Sequence, residues 1–215
     1  MSTIMFSDVR GVLNDLNEKL AGEKANETLE GLKKFLRGEN PFETVTTTAK
    51  WEVREGVIYV TLPASEGITG PQWIKRLKKK DLRVSEYAEG LLKSKDFKPT
   101  TGVVHKLAIL SGKTFSDSER ITRTIRAEGK KRGWDELNPE AICILRENFS
   151  DKELEAMGFY WIVGIHEPIE VGGDPHFLVA ARHDDGSWLG ATWADPGYGW
   201  RGSSAFAWSL PQVST

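Results

Sequence analysis

The chain has 215 residues, of which 39% are hydrophobic and 28% charged, and its 8 Trp and 9 Phe supply enough apolar material for a packed core, which excludes wholesale disorder. Apolar runs are short, Phe159 to Val163 being typical, so none spans a bilayer; the start lacks a basic stretch followed by an apolar one, and the expectation is a cytoplasmic protein. A single cysteine, Cys143, excludes an intramolecular disulfide and a multi-cysteine zinc site, and the net charge of −2 is the balance of −3 over residues 1–71, +10 over 72–132 and −9 over 133–215.

Two amphipathic stretches open the chain. Val9, Val12, Leu13, Leu16 and Leu20 fall at helical spacing, as do Leu29, Leu32, Phe35 and Leu36, with Gly38 and Pro41 as a stop signal. This predicts a helical hairpin whose apolar stripe needs a domain core or a second copy of the chain, so oligomerisation through the N-terminal helices is one expectation. Alternating apolar positions near 45–62 predict a short strand pair, followed by helices at about 71–80 and 84–94. From Thr100 the pattern is more orderly. Residues 103–110 read as a strand; the Ser116-x-x-Glu119 capping box predicts a helix to about Lys131. Asn138-Pro139 opens a helix through Arg146, and Ser150-x-x-Glu153 opens a short one closed near Gly158. Strands follow at about 159–166, 177–183, 187–194 and 204–210, with Asp185-Gly186 as a hairpin signal. The predicted class is α+β: a mainly helical portion over 1–99 and a mixed domain over 100–215 that ends in several antiparallel strands.

Four groups of residues are candidates for chemistry. The first is basic: Arg76, Lys78, Lys79 and Lys80 are clustered, and Arg120, Arg123, Arg126 and Lys130 share one helix face. A cationic stripe is what phosphate-backbone binding needs, with Arg76, Lys79, Arg123 and Lys130 as contacts, although a charged helix face is also simply a solvated one. The second is His166, His176 and His183, which could serve a metal-dependent hydrolase; their spacings match no ligand motif, and no metal or cofactor is expected. Third, Cys143 lies inside the apolar run AICIL, as a buried thiol does. The fourth group is the tail. Five of the eight tryptophans (Trp161, Trp188, Trp193, Trp200, Trp208) fall in the last 55 residues. Aromatic anchors among small polar residues suit a recognition surface, and packing suits them equally. Trp193, Tyr198, Trp200 and Arg201 lie in or beside a Gly/Pro loop and are the surface candidates.

The stretch FSDKELEAMGFYWIVGIHEPI, then GDP, then DDGSWLGATWADPGYGWRGSSAFAWSLPQV, resembles a family of small proteins from candidate-phyla-radiation bacteria sharing a WL…P…W…FAF framework. That framework is similar to the variable proteins of diversity-generating retroelements, in which a reverse transcriptase rewrites a C-terminal segment of a C-type-lectin-like fold. The resemblance covers roughly residues 100–215. It implies a framework of Trp188, Leu189, Pro196, Trp200, Phe206 and Ala207. It also implies diversified positions at Gly190, Thr192, Ala194, Gly197, Gly199, Arg201, Gly202, Ser203 and Ser204. Ser204-Ala205 stands where a glycine is expected, and the acidic and Trp-Asn-Asp motifs of calcium-dependent lectins are missing. The expectation is therefore a non-enzymatic, metal-free binder of a protein or other macromolecule. Its surface over about 188–208 would use Gly190, Thr192, Trp193, Asp195, Tyr198, Trp200, Arg201, Ser203 and Ser204. Nucleic-acid binding through the basic 72–132 region is the alternative.

Overall fold

The computed structural model describes residues 50–211, together with residues 15–18, 21, 25, 29, 32, 33, 36 and 37. Residues 15–18, 21, 25, 29, 32, 33 and 36 are helical; the rest of the expected N-terminal hairpin, and the part of the strand pair before Lys50, lie outside the described residues. The chain divides into two compact units, Met1–Ala49 and Lys50–Thr215, where the sequence pattern suggests a boundary at 99/100. Residues 50–99 join the C-terminal unit because their strands and helices complete the same sheet and core.

That unit is built on one mixed nine-stranded sheet, and no helix among the described residues is long and apolar enough to cross a membrane. The strands are β1 (Trp51–Arg54), β2 (Val57–Glu66), β3 (Arg83–Val84), β4 (Thr101–Ser111), β5 (Trp161–Gly164), β6 (Ile169–Val171), β7 (Asp174–His183), β8 (Gly186–Trp193) and β9 (Ser204–Ser209). Their order is β1-β2-β4-β9-β5-β7-β8-β3, with β6 paired to β7. The last strand returns beside β4: Ile109 faces Ala207 and Leu110 faces Phe206 in an antiparallel ladder. On its other side β9 runs parallel to β5, and β3 runs parallel to β8. β7 and β8 form the expected hairpin, but His183 pairs with Gly186, so Asp184 and Asp185 are the turn and Gly186 already belongs to the strand.

Central strands are buried on both sides, and their side chains alternate between two cores as the pleat requires. Leu107, Ile109, Ile162, Leu178, Ala180, Leu189, Ala205 and Ala207 face one core. That core is roofed by α1 (Gly70–Lys79), α2 (Glu86–Lys93), α4 (Glu140–Asn148) and α5 (Asp151–Ala156). Ala108, Leu110, Val163, Phe177, Val179, Ala181, Phe206 and Trp208 face the other. Among the described residues of this unit, α3 (Thr122–Lys131) is the helix that covers this second face, through Ile125, and the rest of its lining comes from loops and aromatic side chains.

Two of the three capping signals act as the sequence suggests. Ser150 and Glu153 form the box that starts α5, and Asn138 Oδ1 accepts from the Glu140 N–H at 2.9 Å to start α4. Ser116 and Glu119 do bond, at 2.6 Å, but they close a turn, and α3 begins only at Thr122. The delay has a cause. Ile121 bridges Gly199, and the Thr122 and Arg123 N–H groups, which a helix start leaves unpaired, donate to the carbonyls of Tyr198 (3.1 Å) and Pro196 (3.0 Å). A distant loop is the cap.

The basic and acidic thirds meet in ion pairs. Glu147, nearly inaccessible, accepts from Arg76 Nε at 2.6 Å and pairs with Lys80 Nζ at 2.9 Å. Burial pushes its carboxyl pKa up, but the bonds from Arg76 and Lys80 outweigh that and hold it below the ordinary value. Arg83 reaches Asp185 at 2.7 Å, and Arg126 contacts Glu136 and Glu167.

Helix α3 sits against Trp208 at Gly129, where a Cβ would lie 2.1 Å from Trp208 Nε1. Gly129→Ala therefore forces helix and strand apart despite alanine's advantage of about 1 kcal/mol in a helix. The expected net loss is about 1–3 kcal/mol in urea unfolding, as for other overpacked cores. Gly190→Ala, which meets nothing within 4 Å, is expected to leave stability unchanged or raise it.

Candidate functional site

On the face that α3 leaves uncovered, the strand register sets out a row of side chains. Ser204, Trp161, Ala181 and Trp188 are neighbours on β9, β5, β7 and β8, and Arg83 of β3 follows Trp188. The small Ala181 between two tryptophans makes a floor with walls, and Gly190, one step along β8, keeps the floor low. Two strand spacings, about 9.6 Å, separate the tryptophan backbones. His183 stands at the end of the same face, its ring 6.0 Å from Trp161, 6.2 Å from Trp188 and 6.5 Å from Tyr160.

The loop between β8 and β9 brings up the far wall. Its position follows from the bridge and carbonyl contacts to residues 121–123 and from Trp200 N donating to Arg120 O at 2.9 Å. Arg120 is itself tied to Gly112 O, Phe115 O and Asp117. The result is a cleft of about 360 Å³ lined by Tyr160, Trp161, His183, Tyr198, Trp200 and Arg201, with Ser203 and Ser204 at one edge. A shallower groove of about 160 Å³ shares Trp161 and His183 with it and continues over Ala181 and Gly190 to Trp188.

Each wall is held from outside. The Tyr160 hydroxyl bonds to Asp184 Oδ1 at 3.2 Å, and the Arg182 guanidinium lies 4.3 Å from its ring centre. Trp188 Nε1 donates to Asp185 Oδ1 at 3.0 Å while Arg83 covers its ring at 5.3 Å. Trp200 Nε1 donates to Thr122 Oγ1 at 3.1 Å, and Tyr198 meets the Trp200 ring edge-on at 4.8 Å.

Of the nine residues singled out in the tail, Tyr198, Trp200, Arg201, Ser203 and Ser204 come together in the cleft and Gly190 lines the groove. Three do not join them. Thr192 is buried on the sheet, and Asp195 closes its own turn by accepting from Gly197 N at 2.7 Å. Trp193 points to the opposite face, where His176 is stacked between it (5.4 Å) and Tyr87 (5.1 Å). Trp200, expected as an exposed anchor, is 7% exposed and packs on Phe206, so it forms the cleft's base and not a projecting contact. Tyr160, Trp161 and Trp188 are not among the contacts that the sequence suggests. Only the pairing register reveals them, since they are separated from the loop by whole strands.

The three histidines do not converge. His166 is fully buried, its Nδ1–H bonding to Glu167 O at 2.7 Å and its Nε2 accepting from Leu178 N at 2.9 Å. His176 faces the helices and His183 the opposite side. Among the described residues no three His, Cys, Asp or Glu side chains are grouped to hold a metal ion. Cys143 is buried, and burial pushes its thiol pKa well up. The basic candidates divide as well. Arg76 is taken by Glu66 and Glu147, Lys79 is exposed on α1, and Arg123 and Lys130 are exposed on α3 across the sheet. These four make no continuous stripe. A further cavity of about 390 Å³ beside α3 is lined by Arg126, Lys130, Trp134, Asp135, Glu136 and Trp208, with both signs of charge.

Compared with protein-family models, with curated proteins and with solved structures, the chain matches none.

Burial holds the His166 imidazole down at about 4, against an ordinary value of 6.5. The unfolded chain then binds a proton between those values that the folded chain refuses. The stability contributed by the neutral ring is complete above pH 6.5 and is lost as the pH falls toward 4. In an NMR titration of ring resonances, His166 is expected to stay neutral at pH 5.5 while an unfolded reference is charged. A midpoint near the ordinary value would contradict its buried acceptor role.

Proposed function

We propose that the chain is a non-enzymatic recognition protein whose contact surface is the aromatic cleft and its adjoining groove. The observation that carries this reading is the fixing of the walls. Tyr160, Trp188 and Trp200 each spend their polar group, and in two cases a ring face, on partners outside the cleft. Rigid aromatic surface offered at little entropic cost is what binding sites use.

The same reading accommodates the resemblance to retroelement variable proteins and a C-type-lectin-like domain over 100–215. It is supported by the return of β9 beside β4 and by a loop that carries Gly197, Gly199, Arg201, Gly202 and Ser203 away from the core. Thr192, Ala194 and Ser204 are buried, so variation there would be confined to small side chains. In the surrounding DNA this predicts a non-coding second copy of the stretch for residues 188–208, differing chiefly at template adenines, and a nearby reverse transcriptase. A locus with neither removes diversification and leaves recognition standing.

Recognition itself is tested by screening small aromatic compounds against the indole N–H resonances of the intact protein. Hits are expected to move Trp161 and Trp188. Trp161→Ala combined with Tyr198→Ala is expected to weaken them about tenfold or more, a loss of about 1.4 kcal/mol. Hits that move Trp134 and Trp208 instead would transfer the site to the cavity beside α3.

A further inference from the structure

The lining of the cleft differs in charge from the chain around it. Residues 133–215 hold 13 Asp and Glu against 4 Lys and Arg. Yet among the described residues no carboxylate lines the cleft or the groove, and Arg201 is the one Lys, Arg, Asp or Glu side chain in either lining. The acids that hold the walls from outside are occupied there: Asp184 by the Tyr160 hydroxyl, Asp185 by Arg83 and Trp188. Neighbouring arginines are occupied too, Arg182 by Glu155 and Arg120 by Asp117. Arg201 is exposed, and among the described residues no carboxylate pairs with it.

This combination discriminates between ligand chemistries. A cation would meet Arg201 with no acid to offset it. A neutral sugar is usually fixed by carboxylates or amides, and neither lines these depressions. An anion attached to a flat apolar group satisfies both parts of the lining. Carboxylate suits it better than phosphate. One guanidinium meets one carboxylate through two parallel N–H···O bonds, whereas a phosphate brings up to two charges and three acceptor oxygens, and among the described residues no second arginine and no lysine lines the cleft. The volume, about 360 Å³, lies at the small end of ligand pockets and admits one aromatic side chain with its immediate neighbours.

Resting on the recognition reading above, we infer that the cleft takes an aromatic group joined to a carboxylate, as a peptide presents where an aromatic residue adjoins an acidic side chain or a chain end. The ring lies among Tyr160, Trp161 and Tyr198, and the carboxylate accepts from Arg201, with Ser203 available as a further donor.

The test uses the intact protein, with N-acetyl-tryptophan and its uncharged amide as probes and the indole N–H resonances as the readout. The acid is expected to bind about tenfold or more tightly than the amide. Arg201→Gln is expected to bring the acid down to the amide's affinity, leaving the urea midpoint unchanged. Equal binding of acid and amide at Trp161 overturns the anionic ligand and keeps the recognition cleft. Binding by neither probe at millimolar concentration, with no aromatic compound moving Trp161, overturns both. Adenosine monophosphate and adenosine form the second arm: a larger gain from the phosphate than from the carboxylate, lost in Arg201→Gln, overturns the choice of carboxylate.

Discussion

The fold depends on the pairing of β9 with two partners at once. On one side it completes an antiparallel ladder with β4, on the other a parallel one with β5, and these are the bonds that join β1-β2-β4 to β5-β7-β8-β3. Its residues meet both duties. Ala205 and Ala207 are small on the face roofed by four helices, while Phe206 and Trp208 are large on the face where, among the described residues, α3 and loops pack. The same asymmetry recurs on β5, where a Cβ on Gly164 would come within 2.4 Å of Ile142 on α4. One face is close-packed under helices. The other has depth to spare, and the cleft lies there.

Charge is handled in the same structural way. Helix α4 is buried from Glu140 to Arg146 and carries a carboxylate and a guanidinium inward. Glu140 accepts from Trp73 Nε1 at 2.9 Å, from Thr100 N at 2.6 Å and from Thr100 Oγ1 at 2.7 Å. Arg146 donates to Phe149 O at 2.6 Å and pairs with Asp151 at 2.9 Å, and burial still pushes its guanidinium pKa below the ordinary value. Groups so costly to desolvate contribute little net stability, but they penalise every rotation of α4 that would leave them unpaired. The fixed helix in turn presents Glu147 to Arg76 and Lys80, where the basic third of the chain meets the acidic one.

Much of this is legible in the sequence because it is written locally. Ser150 and Glu153, Asn138 and Pro139, and the alternation of 204–209 specify their elements within a few residues, and the structure follows them. The cancellation of +10 by −9 also takes the form of contacts between those thirds. Long-range pairing is not legible in the same way. Ser116 and Glu119 look like a helix start, yet the start moves to Thr122 because the carbonyls of Pro196 and Tyr198 supply the cap. β3 and β6 are too short to carry a pattern. Tyr160, Trp161 and Trp188 become wall residues through register alone, and Trp193 leaves the site because it is an odd number of residues from Trp188 on an alternating strand. The tail's composition draws attention to a stretch that lines the cleft, and only the pleat can choose its face.

The return of β9 has a kinetic consequence. Joining Ile109 to Ala207 closes a loop of about a hundred residues, and the entropy of that closure is lost before any β9 contact repays it. The β7–β8 hairpin, by contrast, closes over two residues and is open to rapid formation. The cleft sets Tyr160, Trp161 and the hairpin's His183 against the loop that leads into β9, and that loop is held by residues 120–123, so the cleft is complete only when these distant parts of the chain have come together. A molecule bound there therefore selects the closed sheet over every partly assembled form, adding RT ln(1 + [L]/Kd) to the stability of the finished state alone.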